Sequence, residues 1–236
     1  MSTLFIVRHA QASASGPDYD MLTSHGHEQA RRLGAHWAGR RLHPDHAFIG
    51  PCRRHRETFE AVREAYGREG LAMPEPISTP RLDEVPTVAL TKRVAPELAK
   101  KDPQVAAWLE GAFGIEADAQ KNLQRLVEHV TRLYAAAQVN ADGLETYADF
   151  RVRIDRWVRE EILPLGRGKT AVAFTSGGPV AAAVGCALAL TDQKVIDVMG
   201  MVRNASFSEF RFDARRLSLV SFNTHPHLAA EWVTQI

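Results

Sequence analysis

The sequence predicts a three-layer α/β/α fold, in which helices cover both faces of a mostly parallel central sheet. Short runs of β-branched and aromatic residues, typical of buried strands, occur near both ends of the chain. Segments with apolar residues at helical spacing alternate with these runs, and strand–helix alternation favours parallel pairing. The length of 236 residues fits one domain that carries an inserted subdomain.

The first elements are a strand, a loop and a helix. Residues 3–8 form a short apolar run without alternation, which predicts a fully buried strand. Residues 12–21 are small and polar and contain Gly-Pro, so they predict a loop. Thr23 is a predicted helix N-cap. The apolar positions of the following helix are Ala30, Leu33 and Trp37.

A second strand–helix unit and a weaker third strand complete the first part of the chain. Residues 46–49 predict the second strand, which Gly50-Pro51 ends. One face of the next helix carries Phe59, Val62 and Tyr66. Residues 76–82 predict the third strand, and Pro80 indicates an edge or an end because proline cannot donate to the ladder.

The middle of the chain, from about residue 86 to about 165, predicts a helical cap inserted into a single domain spanning residues 1–236. It has no strong strand pattern. Two amphipathic stripes run through it instead. The first stripe is Leu123, Leu126, Val130, Leu133 and Ala137; the second is Tyr147, Phe150, Ile154, Trp157 and Val158.

Strands return in the last third of the chain. Residues 170–176, 206–212 and 217–223 predict three strands, of which the last two form a hairpin through residues 213–216. The Ala-rich stretch 180–190 predicts a buried helix. Pro179 suits the first position of that helix, where no backbone N–H is needed.

Composition excludes several classes of protein. The net charge is +1, from 29 basic and 28 acidic side chains, so there is no general basic field for nucleic acid. No apolar run reaches the ~18 residues that a membrane-spanning helix needs. No signal peptide is visible and the two cysteines form no disulfide framework, so a cytoplasmic location is the default expectation.

The predicted strand ends carry residues suited to phosphate chemistry, and ligands of open α/β sheets bind beyond these ends. Arg8-His9 follows the first strand, Arg54 follows the second, and Asp83-Glu84 follows the third. Arginines bind phosphate oxygens through paired contacts, and a neutral imidazole can attack phosphorus. Either Asp83 or Glu84 could act as general acid. Ser176-Gly177 lies at the end of the strand predicted over residues 170–176, where the N-terminus of the next helix suits an anion.

Six segments in this order resemble the histidine phosphatase superfamily, which includes phosphoglycerate mutases. They are "VRHAQAS" (7–13), "LTSHGHEQARRLG" (22–34), "GPCRRHRET" (50–58), "RLDEV" (81–85), "FTSGGPV" (174–180) and "NTHPHL" (223–228). The resemblance implies a phosphoglycerate mutase-like fold and a phosphohistidine on His9. It also places the phosphate-binding arginines on Arg8 and Arg54 and the general acid on Glu84.

The sequence departs from the family pattern at three positions. Ala10 replaces a glycine, Gly50 replaces a serine, and Ser176 stands where the family has its second histidine. Loss of one preorganised donor can reduce the rate ~10²–10³-fold, so we expect weak to moderate phosphatase activity. Ser176 and the Gly177 amide are expected to act as supporting donors to phosphate.

Three further residues are weaker candidates for the site. His55, beside Arg54, could supply the positive charge that Ser176 lacks, although helix geometry does not guarantee that it faces the pocket. Gln11 and Ser13 follow the nucleophile and are candidates for the substrate entrance, with a plain turn as the alternative.

The sequence thus predicts a metal-independent phosphatase that acts on a small phosphorylated substrate. No metal or other cofactor is expected, because arginines can neutralise the phosphoryl charge. The His25-x-His27 and His225-x-His227 pairs are interpreted as solvated histidines rather than metal ligands. Two alternatives stay open: a phosphoglycerate mutase, and a non-catalytic phosphate-binding protein because of Ser176. No nucleic-acid or membrane partner is expected, and the chain is expected to be a monomer or a homodimer.

Overall fold

The computed structural model describes residues 1–13, 20–113 and 118–235, and within them the fold is built on one six-stranded sheet. The strand order is β3-β2-β4-β1-β5-β6. The strands are β1 (Ser2–Arg8), β2 (His46–Ile49), β3 (Pro76–Ser78), β4 (Thr170–Thr175), β5 (Phe207–Phe212) and β6 (Leu217–Thr224).

The sheet is mostly parallel, as predicted. The β1–β4, β2–β4 and β2–β3 pairs are parallel, and the β1–β5 and β5–β6 pairs are antiparallel. Phe174 of β4 is opposite Val7 on one side and Ile49 on the other. This register brings the carboxyl ends of β1, β2 and β4 to one edge of the sheet. The predicted β5–β6 hairpin is also present.

Eight α-helices lie in the described part of the chain. They are α1 (Ser24–Gly39), α2 (Arg53–Arg68), α3 (Thr87–Ala99), α4 (Pro103–Phe113), α5 (Ala119–Ala135), α6 (Tyr147–Trp157), α7 (Gly177–Leu188) and α8 (Asp192–Met199). The predicted N-cap is confirmed, because the Thr23 hydroxyl accepts a hydrogen bond from the Gly26 N–H at 3.0 Å.

Two hydrophobic cores, one on each face of the sheet, give the predicted three layers. On one face, α1 and α2 pack Trp37 and Phe59 against Phe174. On the other face, α6 packs Trp157 edge-on against Phe48 of β2, and α7 belongs to the same core. Trp157 is fully buried, so truncation to alanine is expected to cost about 3–5 kcal/mol.

Helices, and no strand among the described residues, occupy the chain between β3 and β4. Helices α3, α4 and α5 share a small core of Ala95, Val105 and Leu126. A π-helical turn (Val158–Ile162) and a 3₁₀ turn (Leu163–Leu165) follow α6 and lead into β4. No helix in the described residues is long and apolar enough to span a membrane.

Some predicted boundaries are wrong. Strand β3 is at the sheet edge as expected, but it ends at Ser78, and Pro80–Leu82 forms a 3₁₀ turn. Pro80 has no N–H with which to extend the ladder. The first cap stripe also differs, because Leu123 is 40% exposed and Ala137 follows the end of α5, where it has a φ of 54°. Tyr134 is buried on α5 in addition to Leu126 and Val130.

Two further expectations need comment. Pro179 is the third residue of α7, not the first, because Ser176 is the N-cap and Gly177 begins the helix. Its missing N–H still falls in the first turn, where no intrahelical acceptor exists. The predicted loop 12–21 lies partly outside the described residues. At its ends, the Ser13 N–H donates to the Met21 carbonyl at 2.8 Å.

Candidate active site

The candidate site forms where the carboxyl ends of the parallel strands meet. The His9 N–H donates to the Thr175 carbonyl at 2.7 Å, which ties the end of β1 to the end of β4. The Gly50 N–H donates to the Phe174 carbonyl at 3.0 Å, which brings the start of α2 to the same edge. Residues at the carboxyl ends of β1, β2 and β4 therefore lie close together.

His9 is held as a neutral imidazole. The residue is 8% exposed, and its Nδ1 donates to the Ala10 carbonyl at 2.8 Å. Burial lowers the His9 pKa well below its ordinary value, and the charges of Arg8 and Arg54 lower it further. With the proton on Nδ1, the lone pair of Nε2 is available as a nucleophile.

Backbone contacts fix the position of His9. Its carbonyl accepts hydrogen bonds from Asn204 Nδ2 and from the Ala205 N–H, both at 3.2 Å. The Ala10 N–H donates to the Thr58 hydroxyl at 3.1 Å, and that hydroxyl donates to the Arg54 carbonyl at 2.7 Å. The nucleophile loop is therefore joined directly to helix α2, which carries Arg54.

Arg8 lies beside the first residue of α7. Its Nη1 donates to the Val202 carbonyl at 2.5 Å, whereas its buried Nε has no hydrogen-bond partner among the described residues. A Cβ placed on Gly177 would lie 3.8 Å from that Nε. Burial lowers the Arg8 pKa to about 10, so the guanidinium stays charged at neutral pH.

Arg54 contacts a carboxylate and a hydroxyl. Its Nη1 donates to Asp20 Oδ1 at 2.5 Å and its Nη2 donates to Ser176 Oγ at 3.1 Å. The Asp20 carboxylate also accepts the Arg53 N–H at 2.7 Å. The arginine predicted to bind phosphate therefore carries an acidic neighbour that the sequence motifs did not indicate.

Glu84, rather than Asp83, faces the site. Its Oε1 accepts the Val85 N–H at 2.9 Å and the Gly178 N–H at 3.1 Å. A Cβ on Gly178 would lie 2.2 Å from that oxygen, so only glycine allows this approach. Asp83 instead accepts the Glu84 N–H at 2.8 Å and the Cys52 thiol at 3.4 Å.

The Glu84 carboxyl is suited to hold a proton. Burial raises its pKa, and the charges of Arg54 and Arg8 and the two amide hydrogen bonds only partly oppose that shift. A raised pKa keeps a larger fraction of the carboxyl protonated near neutral pH, which is the form that can act as a general acid.

His55 and Ser176 meet in the interior of the candidate site. Both residues are fully buried, and His55 Nε2 lies 2.7 Å from Ser176 Oγ. The centroids of the His55 and His9 rings are 5.8 Å apart. Burial, with a smaller effect from Arg54, lowers the His55 pKa to about 3. A pKa this low favours a neutral imidazole, which does not supply the positive charge considered for His55.

The two entrance candidates lie on the segment that follows His9 and Ala10. Gln11 Oε1 accepts the Thr23 hydroxyl at 2.8 Å. Gln11 also lines a cleft of about 340 Å³ whose other wall comes from helices α4 and α5. The Ser13 N–H donates to the Met21 carbonyl at 2.8 Å. Substrate contact by Gln11 or Ser13 remains a prediction.

Two of the four paired histidines, His25 and His227, differ from the expectation of solvated side chains. His25 stacks on Trp232 with ring centroids 4.4 Å apart. His227 packs against the Phe207 ring, and burial lowers its pKa to about 3. No group of three or more His, Cys, Asp or Glu side chains in the described ranges is placed to hold a metal ion.

Three polar residues of the site were not predicted. Asp20 lies in the segment interpreted only as a loop, and Asn204 precedes the predicted fifth strand. Arg203 lies near Arg8, whose pKa its charge lowers. None of these residues belongs to a motif, so only the folded chain brings them to the site.

Comparison with known proteins places this geometry in context. The sequence profile described as histidine phosphatase superfamily (branch 1) matches residues 4–138 and 116–225. No curated protein matches the chain by sequence.

Solved structures share the fold at low sequence identity. The chain resembles an Entamoeba histolytica phosphoserine phosphatase mutant bound to phosphoserine, with a TM-score of 0.63, 16% identity and coverage of 97% of this chain and 100% of the other. It also resembles a putative α-ribazole-5′-phosphate phosphatase from Escherichia coli, with a TM-score of 0.63, 14% identity and coverage of 95% of this chain and 97% of the other. A third similar structure is a phosphoglycerate mutase from Bacillus anthracis, with a TM-score of 0.63, 16% identity and coverage of 96% of this chain and 94% of the other. These matches show the fold.

Proposed function

The chain belongs to the histidine phosphatase superfamily, and on that premise we propose that it hydrolyses a small phosphomonoester through a phosphohistidine on His9. The observation that carries the proposal is the state of His9: a buried, neutral imidazole with Nε2 available, whose pKa the charges of Arg8 and Arg54 help to lower. The same two charges act on the Glu84 carboxyl, whose pKa burial raises. Such an arrangement pairs a nucleophile with an acid of matched protonation.

In the first half-reaction, Nε2 of His9 attacks phosphorus and a P–N bond forms. The bond between phosphorus and the ester oxygen breaks, and the leaving oxygen takes the proton from the Glu84 carboxyl. Arg8 and Arg54 neutralise the charge on the phosphoryl oxygens. The products are phosphohistidine, a free alcohol and the Glu84 carboxylate.

In the second half-reaction, the Glu84 carboxylate accepts a proton from water as the water oxygen attacks phosphorus. The P–N bond breaks and its electron pair returns to Nε2 of His9. Inorganic phosphate leaves, and both His9 and Glu84 are restored to their starting states. Neither half-reaction requires a metal ion, because the arginines supply the positive charge.

The test uses p-nitrophenyl phosphate with EDTA, wild-type protein and His9→Ala, together with rapid-quench trapping of the acid-labile phosphoenzyme. We expect turnover that survives chelation, a trapped phosphohistidine, and loss of both in His9→Ala. Absence of a phosphoenzyme with every phosphomonoester in a substrate panel would contradict the proposal and favour a non-catalytic phosphate-binding protein.

The same panel separates hydrolysis from phosphoryl transfer within one molecule. With 3-phosphoglycerate, a hydrolase releases inorganic phosphate and glycerate, whereas a mutase yields 2-phosphoglycerate. We expect hydrolysis, because the sequence after Glu84, "VPTVAL", lacks the basic residues expected to hold the carboxylate of a sugar acid. Isomerisation without phosphate release would assign the chain to the mutases.

A further inference from the structure

We propose that His55 is a positioning residue for phosphoryl transfer: its imidazole fixes the hydroxyl of Ser176, and through that hydroxyl it fixes the guanidinium of Arg54 where phosphate binds. The inference rests on the proposed function and deepens it. It also assigns to Ser176 a role different from the one that its place in the sequence suggests, since the hydroxyl supports Arg54 rather than donating to phosphate.

The first step of the argument is the direction of the hydrogen bonds. Arg54 can only donate, so Ser176 Oγ accepts from Arg54 Nη2 at 3.1 Å. The serine hydroxyl has one proton of its own to give. His55 Nε2, at 2.7 Å, is the partner that the structure shows for that proton. The chain of donation therefore runs from Arg54 to Ser176 to His55.

The second step is the tautomer of His55. Its Nδ1 lies beside Gly50 and has no hydrogen-bond partner among the described residues. Because Nε2 accepts the serine proton, the proton of the neutral ring is assigned to Nδ1. A neutral imidazole with Nδ1 protonated has only Nε2 as an acceptor. This tautomer fits the serine hydroxyl as donor.

The third step is the space that His55 occupies. A Cβ on Gly50 would lie 2.4 Å from His55 Nδ1 and 2.9 Å from Cε1, closer than real Cβ contacts allow. Gly50 therefore makes room for the imidazole. Positions 50, 55 and 176 form one unit, in which a missing side chain, a buried ring and a short hydroxyl fit together.

The consequence is a guanidinium held from two sides. Asp20 holds Nη1 of Arg54 and Ser176 holds Nη2. Without the His55–Ser176 contact, Asp20 alone would direct the guanidinium and draw it towards the loop. A misplacement of about 1 Å at a reacting centre can reduce the rate about 10²-fold.

The test is a double-mutant cycle of His55→Leu, Ser176→Ala and the pair, measured as kcat/KM for p-nitrophenyl phosphate and as the inhibition constant of inorganic phosphate. Leucine fills similar space but accepts no hydrogen bond. If His55 acts through Ser176, each single variant loses about 10–100-fold and the double variant loses no more than either single one. Independent, multiplicative losses would overturn the proposal.

Two matched variants separate positioning from packing. His55→Gln keeps an acceptor in the ring's place, so we expect it to recover most of the loss seen in His55→Leu. His43 is an exposed histidine outside the site, and His43→Leu is expected to leave kcat/KM unchanged. Equal losses in the Gln and Leu variants at position 55 would mean that only packing matters and would overturn the proposal.

A measurement on the wild-type protein keeps the test decisive if a variant fails to fold. Imidazole ¹⁵N NMR of the full chain, with and without inorganic phosphate, reports the tautomer of each histidine. We expect His55 to carry its proton on Nδ1 from pH 5 to 8. A proton on Nε2 would free the serine hydroxyl and overturn the proposal. Trapping of phospho-His9 is scored separately, so failure of the proposed function is distinguishable from failure of this inference.

Discussion

Asp20 and Arg54 form a short, largely buried ion pair in the candidate site. Asp20 Oδ1 lies 2.5 Å from Arg54 Nη1, and the two side chains are 21% and 14% exposed. A carboxylate at this place opposes a bound phosphoryl group, because like charges repel strongly where water is scarce. The pair therefore reduces the charge that Arg54 offers to a phosphate ester.

Replacement of that carboxylate is expected to strengthen phosphate binding. In Asp20→Asn the amide can still contact Arg54, but the negative charge is gone. We expect the inhibition constant of inorganic phosphate to fall about tenfold, equivalent to about 1.4 kcal/mol. Asp45→Asn removes a remote carboxylate that pairs with Lys169 and serves as the control. Weaker phosphate binding in Asp20→Asn would show that the carboxylate orients Arg54 more than it opposes phosphate.

In the proposed mechanism, the pH dependence of turnover follows from His9 and Glu84. His9 must be neutral, and its lowered pKa means that activity is lost only when the pH falls well below 6.5. Glu84 must be protonated in the first step, and its raised pKa means that activity declines as the pH rises through that value. The profile of kcat/KM should therefore be bell-shaped, with its acidic limb set by His9 well below pH 6.5 and its alkaline limb set by Glu84.

Glu84→Gln provides the control for the alkaline limb. With an alkyl phosphate, whose leaving oxygen needs a proton, we expect a loss of about 10²–10⁴-fold and a flat alkaline side. With p-nitrophenyl phosphate the loss should be much smaller, because the leaving group is stable without a proton. Equal losses with both substrates would contradict the assignment of Glu84 as the acid.

The helical segment between β3 and β4 also contacts the turn that carries the proposed acid, Glu84. Arg153 of α6 donates to the carbonyls of Arg81 at 2.7 Å and Asp83 at 3.0 Å, and two 2.7 Å bonds to Glu145 hold its guanidinium. These contacts fix the turn that carries Glu84. We expect Arg153→Ala to lower kcat for an alkyl phosphate about tenfold with little change in KM.

Arg159→Ala is the matched control for Arg153→Ala. Arg159 follows the same helix and pairs with Asp155, but its side chain is exposed and makes no contact with the acid turn among the described residues. Its removal should leave kcat unchanged. A rise in KM without a fall in kcat for Arg153→Ala would indicate that the turn contacts substrate rather than positioning the acid.

Sequence patterns predicted the sheet better than the site. Residues 3–8 and 170–176 were predictable as strands because a buried parallel strand is apolar on both faces. The pairing of His55 with Ser176 was not, because the residues are 121 positions apart and neither carries a signal for the other. His55 was considered only as a possible source of positive charge, whereas burial lowers its pKa to about 3. The contact of Asp20 with Arg54 could not be predicted either, because an acidic residue in a loop belongs to no periodic pattern.

The stability of the fold should fall in mild acid, partly through His55. Its pKa is about 3 in the folded chain and 6.5 ordinarily, so between these values the unfolded chain binds more protons. The free energy of unfolding therefore falls as the pH drops from 6.5 towards 3, by about 2 kcal/mol at pH 5 for this one group.

In His55→Gln that contribution is absent, so urea unfolding at pH 7 and pH 5 should show a pH-dependent loss smaller by about 2 kcal/mol than in wild type. His227 has a similar pKa and keeps its own contribution in both proteins. An exposed histidine replaced in the same way, His43→Gln, should leave the wild-type loss unchanged, and an equal loss in His55→Gln and wild type would contradict a buried neutral imidazole at position 55.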